Sequence, residues 1–453
     1  MNVQITLFDV IISSLYFFAF LLFFIYIYLT RRNKNKVYNF IVSGYIFKVI
    51  SAVFFLLIYL YYYKGGDTIG YYKSGVALVN LLFKYPKVYF SILFGNVTPE
   101  NLSYFDINTG FPAYTRDIWS FTVVRIISIF VLLGFKGILA TTILVATFSY
   151  SGVWMLYKFL TSHYPSLYKE FALAVLFFPS VAFWGSGILK DSFTLTASYF
   201  MFVALFQVLL YRKKVILNIV FIVISFWVLI KIKPYVFFQE ILALSAVLIY
   251  IFLKRIRIRF LRVVLFPVII GMVMMFGWWT YSTTAEVAGG FYSSVNDVLE
   301  AIVVKQRDLT QDYYGGNSFN IGYFDPTVPG ILSKFVPATI AGIFRPFLWE
   351  SHNMVMLLSG VETFLLLLFS LWVFFKLFMF FLSKGFKIFS FLDDPFIIYS
   401  LVYSILFAFM VGLVTANFGA LVRYRIPLIS FYLIFLLIVN KKINRAKKVS
   451  DNQ

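Results

Sequence analysis

Apolar residues run along this chain in blocks of about 15 to 30, separated by short polar or basic stretches. The period is neither the 2.0 of a half-buried strand nor the narrow stripe of a surface helix. Such blocks predict helices that are apolar on every side. They fall at Leu7 to Thr30, Tyr38 to Tyr62, 138 to 158, 171 to 184, 192 to 210, 215 to 230, 236 to 253, 261 to 280, 354 to 382, 396 to 415 and 425 to 440. Several reach only some 15 to 17 residues, against the ~20 needed to cross ~30 Å of hydrocarbon. They are expected to be broken near Pro179, Gly185, Gly187 and Pro234.

The interruptions give the expected topology. Lys and Arg gather at Arg31 to Lys36, Arg212 to Lys214, Lys254 to Arg262, Lys384 to Lys387 and Lys441 to Lys448, each directly after an apolar block. The positive-inside rule makes these the cytoplasmic turns. Residues 63 to 117 then form a first outer loop, whose apolar middle, Val76 to Phe94, is cut by Lys84, Pro86 and Lys87 and reads as an interfacial helical pair. The stretch Ile118 to Gly134 does not fit the alternation and reads as re-entrant or packed along the outer face. A second outer loop, 281 to 353, has helical spacing at Val295 to Arg307 and an irregular run from Gln311 to Gly322. The expected fold class is all-α: one polytopic transmembrane domain over 1–453 with about eleven spans, its N-terminus outside and its C-terminus inside.

Composition agrees with the pattern and narrows the chemistry. Of 453 residues, 61% are hydrophobic and 13% charged, about half the charged share of a soluble domain. The net charge of +20 sits in the interhelical clusters, so it argues for a membrane surface and against nucleic acid. With no cysteine there is neither a disulfide nor a thiolate metal site. The first block lacks a basic leader and an A-x-A site, and is expected to be a retained helix. No phosphate-binding glycine loop, dinucleotide fingerprint or H-E-x-x-H motif occurs, and His163 and His352 are expected on opposite sides of the membrane.

The candidate chemistry lies at the outer turns. Asp67 stands in K-G-G-D-T-I-G-Y-Y, framed by Gly65 and Gly66 and by tyrosines; it is either a surface charge or a working acid. Asp106, Arg116 and Asp117 share its loop and read as solvated charges. Lys190 and Asp191 end F-W-G-S-G-I-L-K-D and serve either as helix caps or as substrate contacts. Lys231 and Lys233 break the positive-inside pattern, which asks for an anionic partner. Arg345, Glu350 and His352 lie in F-R-P-F-L-W-E-S-H-N, followed by Glu362 inside an apolar block, where a carboxylate is costly. Arg423 and Arg425 open the last block, and with Lys231, Lys233 and Arg345 would cradle a lipid phosphate.

Four segments together, G-G-D-T-I-G-Y-Y, V-V-R-I-I-S with Arg125, F-F-P-S-V-A-F-W-G-S-G-I-L-K-D and R-Y-R-I-P-L, resemble the GT-C class of polytopic glycosyltransferases. Here the loop Asp stands alone, where such enzymes often carry an acidic pair. The resemblance implies sugar transfer from a polyprenyl-phosphate donor at the periplasmic face of a bacterial inner membrane. Asp67 would be general base, Arg423, Arg425 and Arg345 would neutralise the departing phosphate, and Arg125, Lys190, Asp191, Glu350 and His352 would contact substrate. A divalent metal is left open, and no other cofactor is expected. An O-antigen-type polymerase is the nearest alternative; a transporter or flippase, or a non-catalytic envelope scaffold, are the others.

Overall fold

The computed structural model describes residues 3–255, 295–309, 311, 317–385, 391 and 393–451. Among these residues no strand forms, and nine helices are long and apolar enough to cross a membrane. The expected block at 261 to 280 lies outside the described residues, as do 281–294 and 312–316. The chain falls into two compact units, Met1–Phe237 and Phe238–Gln453, divided within the first turn of the helix Pro234–Arg255. It is an all-α, multi-pass membrane protein.

In the first unit α1 (Leu7–Arg31) has only 6% of its most apolar window buried, which leaves nearly all of it to hydrocarbon. Phe17 and Phe24 pack on Tyr45, and a polar contact ties down one end. Asp9, buried on α1, accepts the Leu139 and Ala140 backbone N–H groups at 2.9 Å each. These are orphan donors of the helix Ile138–His163, whose start cannot cap itself because its preceding residue is a glycine. That glycine, Gly137, has no room for a side chain: a Cβ there would overlap the Asp9 carboxylate. The α2 helix (Ile41–Leu57) is entered by a 3-10 turn and leaves through a wider π turn, Ile58–Tyr62. Gly66 then adopts φ +90°, a left-handed setting that glycine alone takes cheaply, and α3 (Asp67–Lys84) begins at the next residue.

The interfacial pair expected between Val76 and Phe94 exists, but its first member starts earlier and is not loosely laid. α3 is buried along most of its length against α5 (Ile118–Leu133), with α4 (Pro86–Phe94) after it. Gly75 lets Ile127 and Val131 come within 3.1 Å of the position a Cβ would take. Tyr89 Oη lies 3.1 Å from Ser128 Oγ, and Tyr71 donates to Ser120 Oγ at 3.4 Å. The stretch expected to be packed rather than a simple crossing is thus a 16-residue helix holding the first loop.

The block at 171 to 184 is a correction: it is no continuous helix. The chain forms a short helix Tyr168–Phe171, a π turn Ala172–Leu176, a break at Phe177 and Phe178, then α7 (Pro179–Trp184). Gly185 to Leu189 are non-helical and entirely buried, and α8 (Lys190–Leu209) follows. With α6 the helix Ile138–His163, Phe193 packs beside Phe148 and Thr196 against Gly152. Lys190 therefore stands level with the second turn of α6, roughly 10 Å from its start at 1.5 Å per residue. The α9 helix (Val215–Ile232) returns antiparallel to α8, held at the turn by Asn218 donating to Gln207 Oε1 at 3.0 Å.

The second unit takes in α10 (Pro234–Arg255) from Phe238 onward, α11 (Val295–Leu309), α12 (Phe335–Phe344), α13 (Met354–Lys384), α14 (Pro395–Val414) and α15 (Ile426–Asp451). Helical spacing at Val295 to Arg307 foretells α11, whereas α12 lies in what reads as loop. α12 crosses α14 through small residues at i and i+4 on both sides. Gly342 faces the Ala408 carbonyl and Gly412 faces the Ala338 carbonyl, with no space for a Cβ at either glycine. Without a hydrophobic drive between helices in lipid, close backbone approach of this kind is a main source of their association. Gly412→Leu should therefore cost at least the ~1–3 kcal/mol typical of overpacking. A thermal melt in detergent checks this: the variant's midpoint falls, while Gly65→Ala, whose Cβ would meet nothing closer than 4.0 Å, leaves it unchanged.

Candidate functional site

Four segments of the first unit bring ionisable side chains together. Asp67 is the first residue of α3 and half-buried, and Tyr114 donates its hydroxyl to Asp67 Oδ1 at 3.4 Å. Tyr114 reaches it across Gly70, where a Cβ would sit 2.5 Å from the Tyr114 oxygen. The GGDxxG spacing thus serves the carboxylate twice: Gly66 turns the chain into the helix, and Gly70 opens the lane for the phenol.

Asp117 is a half-buried cap, contrary to its reading as a solvated charge. Its Oδ1 accepts the N–H of Trp119 and of Ser120 at 3.0 and 3.2 Å, and its Oδ2 accepts the Ser120 hydroxyl and Lys190 Nζ, the latter at 3.5 Å. Burial alone would raise the Asp117 carboxyl, but the Ser120 hydroxyl, the Lys190 charge and the two N–H groups outweigh it and hold it below the usual carboxylate range. Asp106 is an exposed turn residue whose pKa is drawn down to about 2, first by Lys84 and then by the Thr109 and Asn108 N–H groups.

Lys190 lies within electrostatic reach of Asp67 and Lys233 as well as Asp117. One residue on, Asp191 is buried and pairs with buried Lys233, tying the start of α8 to the end of α9. Asp191 stands in the first turn of α8, where the helix dipole favours an acid, and Lys233 is engaged by its carboxylate. A buried pair of this kind is costly to break from one side, roughly 3–5 kcal/mol. Lys231, two residues earlier, has no ion pair among the described residues and lines a separate groove with Arg125. Arg125 donates to the Gly95 carbonyl at 2.6 Å and lies over the Phe121 ring.

In the second unit Arg345 is half-buried beside the Phe319 and Phe347 rings, pairs with Glu350 at 3.3 Å and donates to the Asn320 carbonyl at 3.3 Å. Glu350 also accepts the Phe347 N–H at 2.8 Å. Arg425 is fully buried and donates Nη1 to the carbonyls of Ile343, at 3.3 Å, and Arg345; Glu362 lies within electrostatic reach. It holds the 343–350 turn from beneath rather than standing at a surface. Arg423 is half-buried beside Tyr424, and His352 is exposed. Among the described residues no three His, Asp or Glu side chains are grouped to hold a metal ion.

Sequence reasoning passed over Lys48. It sits within α2, fully buried, and gives its ammonium to the Gly185 carbonyl at 2.7 Å; Ser149 donates to the same oxygen at 2.6 Å. The signal was available: a lone cation inside an apolar block must find a partner in protein. Asp9 was missed in the same way, as one acid at the start of an apolar block.

No family model, no curated protein and no solved structure matches this chain.

Two outcomes follow. Lys48→Ala removes a charge-assisted hydrogen bond worth about 1.5–3 kcal/mol, so its thermal midpoint should fall, and protease cleavage should appear between Trp184 and Lys190. Asp117→Asn keeps a competent cap and loses the charge together with the acceptor for the Ser120 hydroxyl. Because the native carboxyl is depressed, its contribution is fully present above the unfolded value near 3.8 and disappears as pH falls through the lower native value. The midpoint difference between the two proteins should be constant from neutral pH down to about 3.8 and shrink below it.

Proposed function

We propose that this chain is a GT-C-like glycosyltransferase of the bacterial inner membrane, moving a sugar from a polyprenyl-phosphate donor to an envelope acceptor. The N-terminus is placed outside and the C-terminus in the cytoplasm. The observation that carries the reading is the gathering of Asp67, Tyr114, Asp117, Lys190 and the Asp191–Lys233 pair from four segments at the mouth of a broken helix. A carboxylate held by a phenol beside an ammonium group suits a general base.

In this mechanism Asp67 accepts the proton of the acceptor hydroxyl while the acceptor oxygen bonds to the anomeric carbon. The bond from that carbon to the phosphate oxygen breaks, and its electron pair leaves on the lipid phosphate. Lys190 faces the developing negative charge. Asp117 holds Lys190, and the Asp191–Lys233 pair fixes the first turn of α8 that carries it. The buried, non-helical segment Gly185–Leu189 supports a second reading, a transporter, because discontinuous helices serve substrate passage in many of them.

Radiolabelled sugar transfer in membranes holding matched amounts of wild type or Asp67→Asn tests both. Loss of a general base predicts a fall of about 10²–10⁴-fold in transfer with donor binding retained. Equal transfer by both proteins would remove Asp67 from the chemistry. Sugar-lipid movement without transfer by either would favour the transporter.

A further inference from the structure

Apart from the ion-pair cluster, the first unit carries a groove of about 710 Å³ between the end of α4, one face of α5 and the outward face of α9. Arg125, Lys231 and Asn96 line it together with the apolar Trp227, Ile224 and Val223 of α9, and no acidic residue contributes. The apolar members are about half exposed or more, so this wall faces what surrounds the protein.

The two cations are unneutralised within the groove. Arg125 has one nitrogen on the Gly95 carbonyl, while its buried Nε makes no hydrogen bond, and Lys231 has no ion pair among the described residues. Two cations lining one groove with an apolar wall and no acid suit an anion that joins them. The wall supplies the rest of the ligand's description. Trp227, Ile224 and Val223 descend α9 from Lys231 on one face, and eight residues of helix carry the line about 12 Å from the charge. That depth is close to one leaflet of a ~30 Å hydrocarbon layer. The arrangement fits a molecule with an anionic head and an aliphatic chain, lying parallel to α9.

We propose that this groove binds one anionic phospholipid, its phosphate between Arg125 and Lys231 and an acyl chain along Trp227, Ile224 and Val223. An arginine fork suits two phosphate oxygens, and the lysine adds a point charge on a flexible stem. The net charge of the head matters because no carboxylate is present to receive a choline or ethanolamine group. The proposal does not depend on sugar transfer: the site would order the 93–96 turn and the end of α9 whatever the chain catalyses.

The test uses full-length protein in neutral detergent, titrated with dioleoyl phosphatidylglycerol, dioleoyl phosphatidylcholine or inorganic phosphate, with bound lipid counted by native mass spectrometry and stability followed by thermal melting. Wild type should retain one phosphatidylglycerol and melt higher with it. Lys231→Gln, which breaks no ion pair among the described residues, should weaken retention about fivefold, as expected for one cation near a phosphate. Trp227→Ala should weaken phosphatidylglycerol while changing nothing for inorganic phosphate, and Lys213→Gln should behave as wild type. Equal retention of phosphatidylcholine, unchanged retention by Lys231→Gln, or the same rise in melting with inorganic phosphate alone would each overturn the proposal. Should Arg125→Gln fail to fold, Lys231→Gln decides alone. Since no sugar is present, failure here leaves the transfer reading untouched, and the reverse holds equally.

Discussion

The first unit is organised around a carbonyl oxygen. When a helix opens within an apolar protein, each freed backbone group must find a partner or cost several kcal/mol. Here the opening runs from Gly185 to Leu189, and the Gly185 oxygen takes both the Lys48 ammonium and the Ser149 hydroxyl. Ser192 closes the far side by donating to the Gly187 carbonyl at 2.6 Å. Gly185 and Gly187 allow the approach, since a Cβ at either would overlap Leu195 or Phe55. With the opening stabilised from α2, α6 and α8, a new helix starts partway along α6, and its first two residues are a lysine and an aspartate. Remove the lysine on α2 and the base of that platform goes with it.

This ordering explains why the same kind of residue has different fates within a few positions. Lys231 and Lys233 are neighbours in sequence at the end of one helix, yet Lys233 turns inward to Asp191 and Lys231 lines the outward groove. Lys231 lies in the last turn of α9, whereas Lys233 ends the helix with non-helical backbone. A run such as K-I-K-P therefore places one charge in protein and one at the lipid boundary. The acids divide similarly. Asp106 bonds its own turn and Lys84, Asp117 caps α5 while holding Lys190, and Asp67 receives a phenol.

Much of the helix plan was legible in the sequence, because apolar length and basic flanks are direct consequences of a membrane's thickness and charge rule. Nine of the eleven expected blocks match long helices; one is broken where its Pro and Gly residues warned of it, and one lies outside the described residues. The loop helix α12 was not legible. Its ten residues are short and flanked by Pro, and its evidence is the pairing of Ala338 and Gly342 with Ala408 and Gly412, a relation between segments some 70 positions apart. Asp67 could be picked out since glycines and tyrosines mark it locally. Tyr114, Lys48 and Asp9 could not be ranked the same way, because what gives each its role is a partner 47, 137 or 130 residues distant.

The two arginines of R-Y-R-I-P-L show the limit most sharply. Sequence alone treats them as a pair, since both are cations at the start of an apolar helix. The helix Phe418–Tyr424 that carries Arg423 ends just before Arg425, and Arg425 is fully buried under the 343–350 turn while Arg423 stays at the side of Tyr424. A buried guanidinium whose Nη1 serves two carbonyls acts on the backbone that carries Arg345. Its influence on any ligand then passes through the placement of that turn. Charge counted along a sequence marks where a membrane protein handles anions, but burial decides which cations meet the anion and which hold those that do.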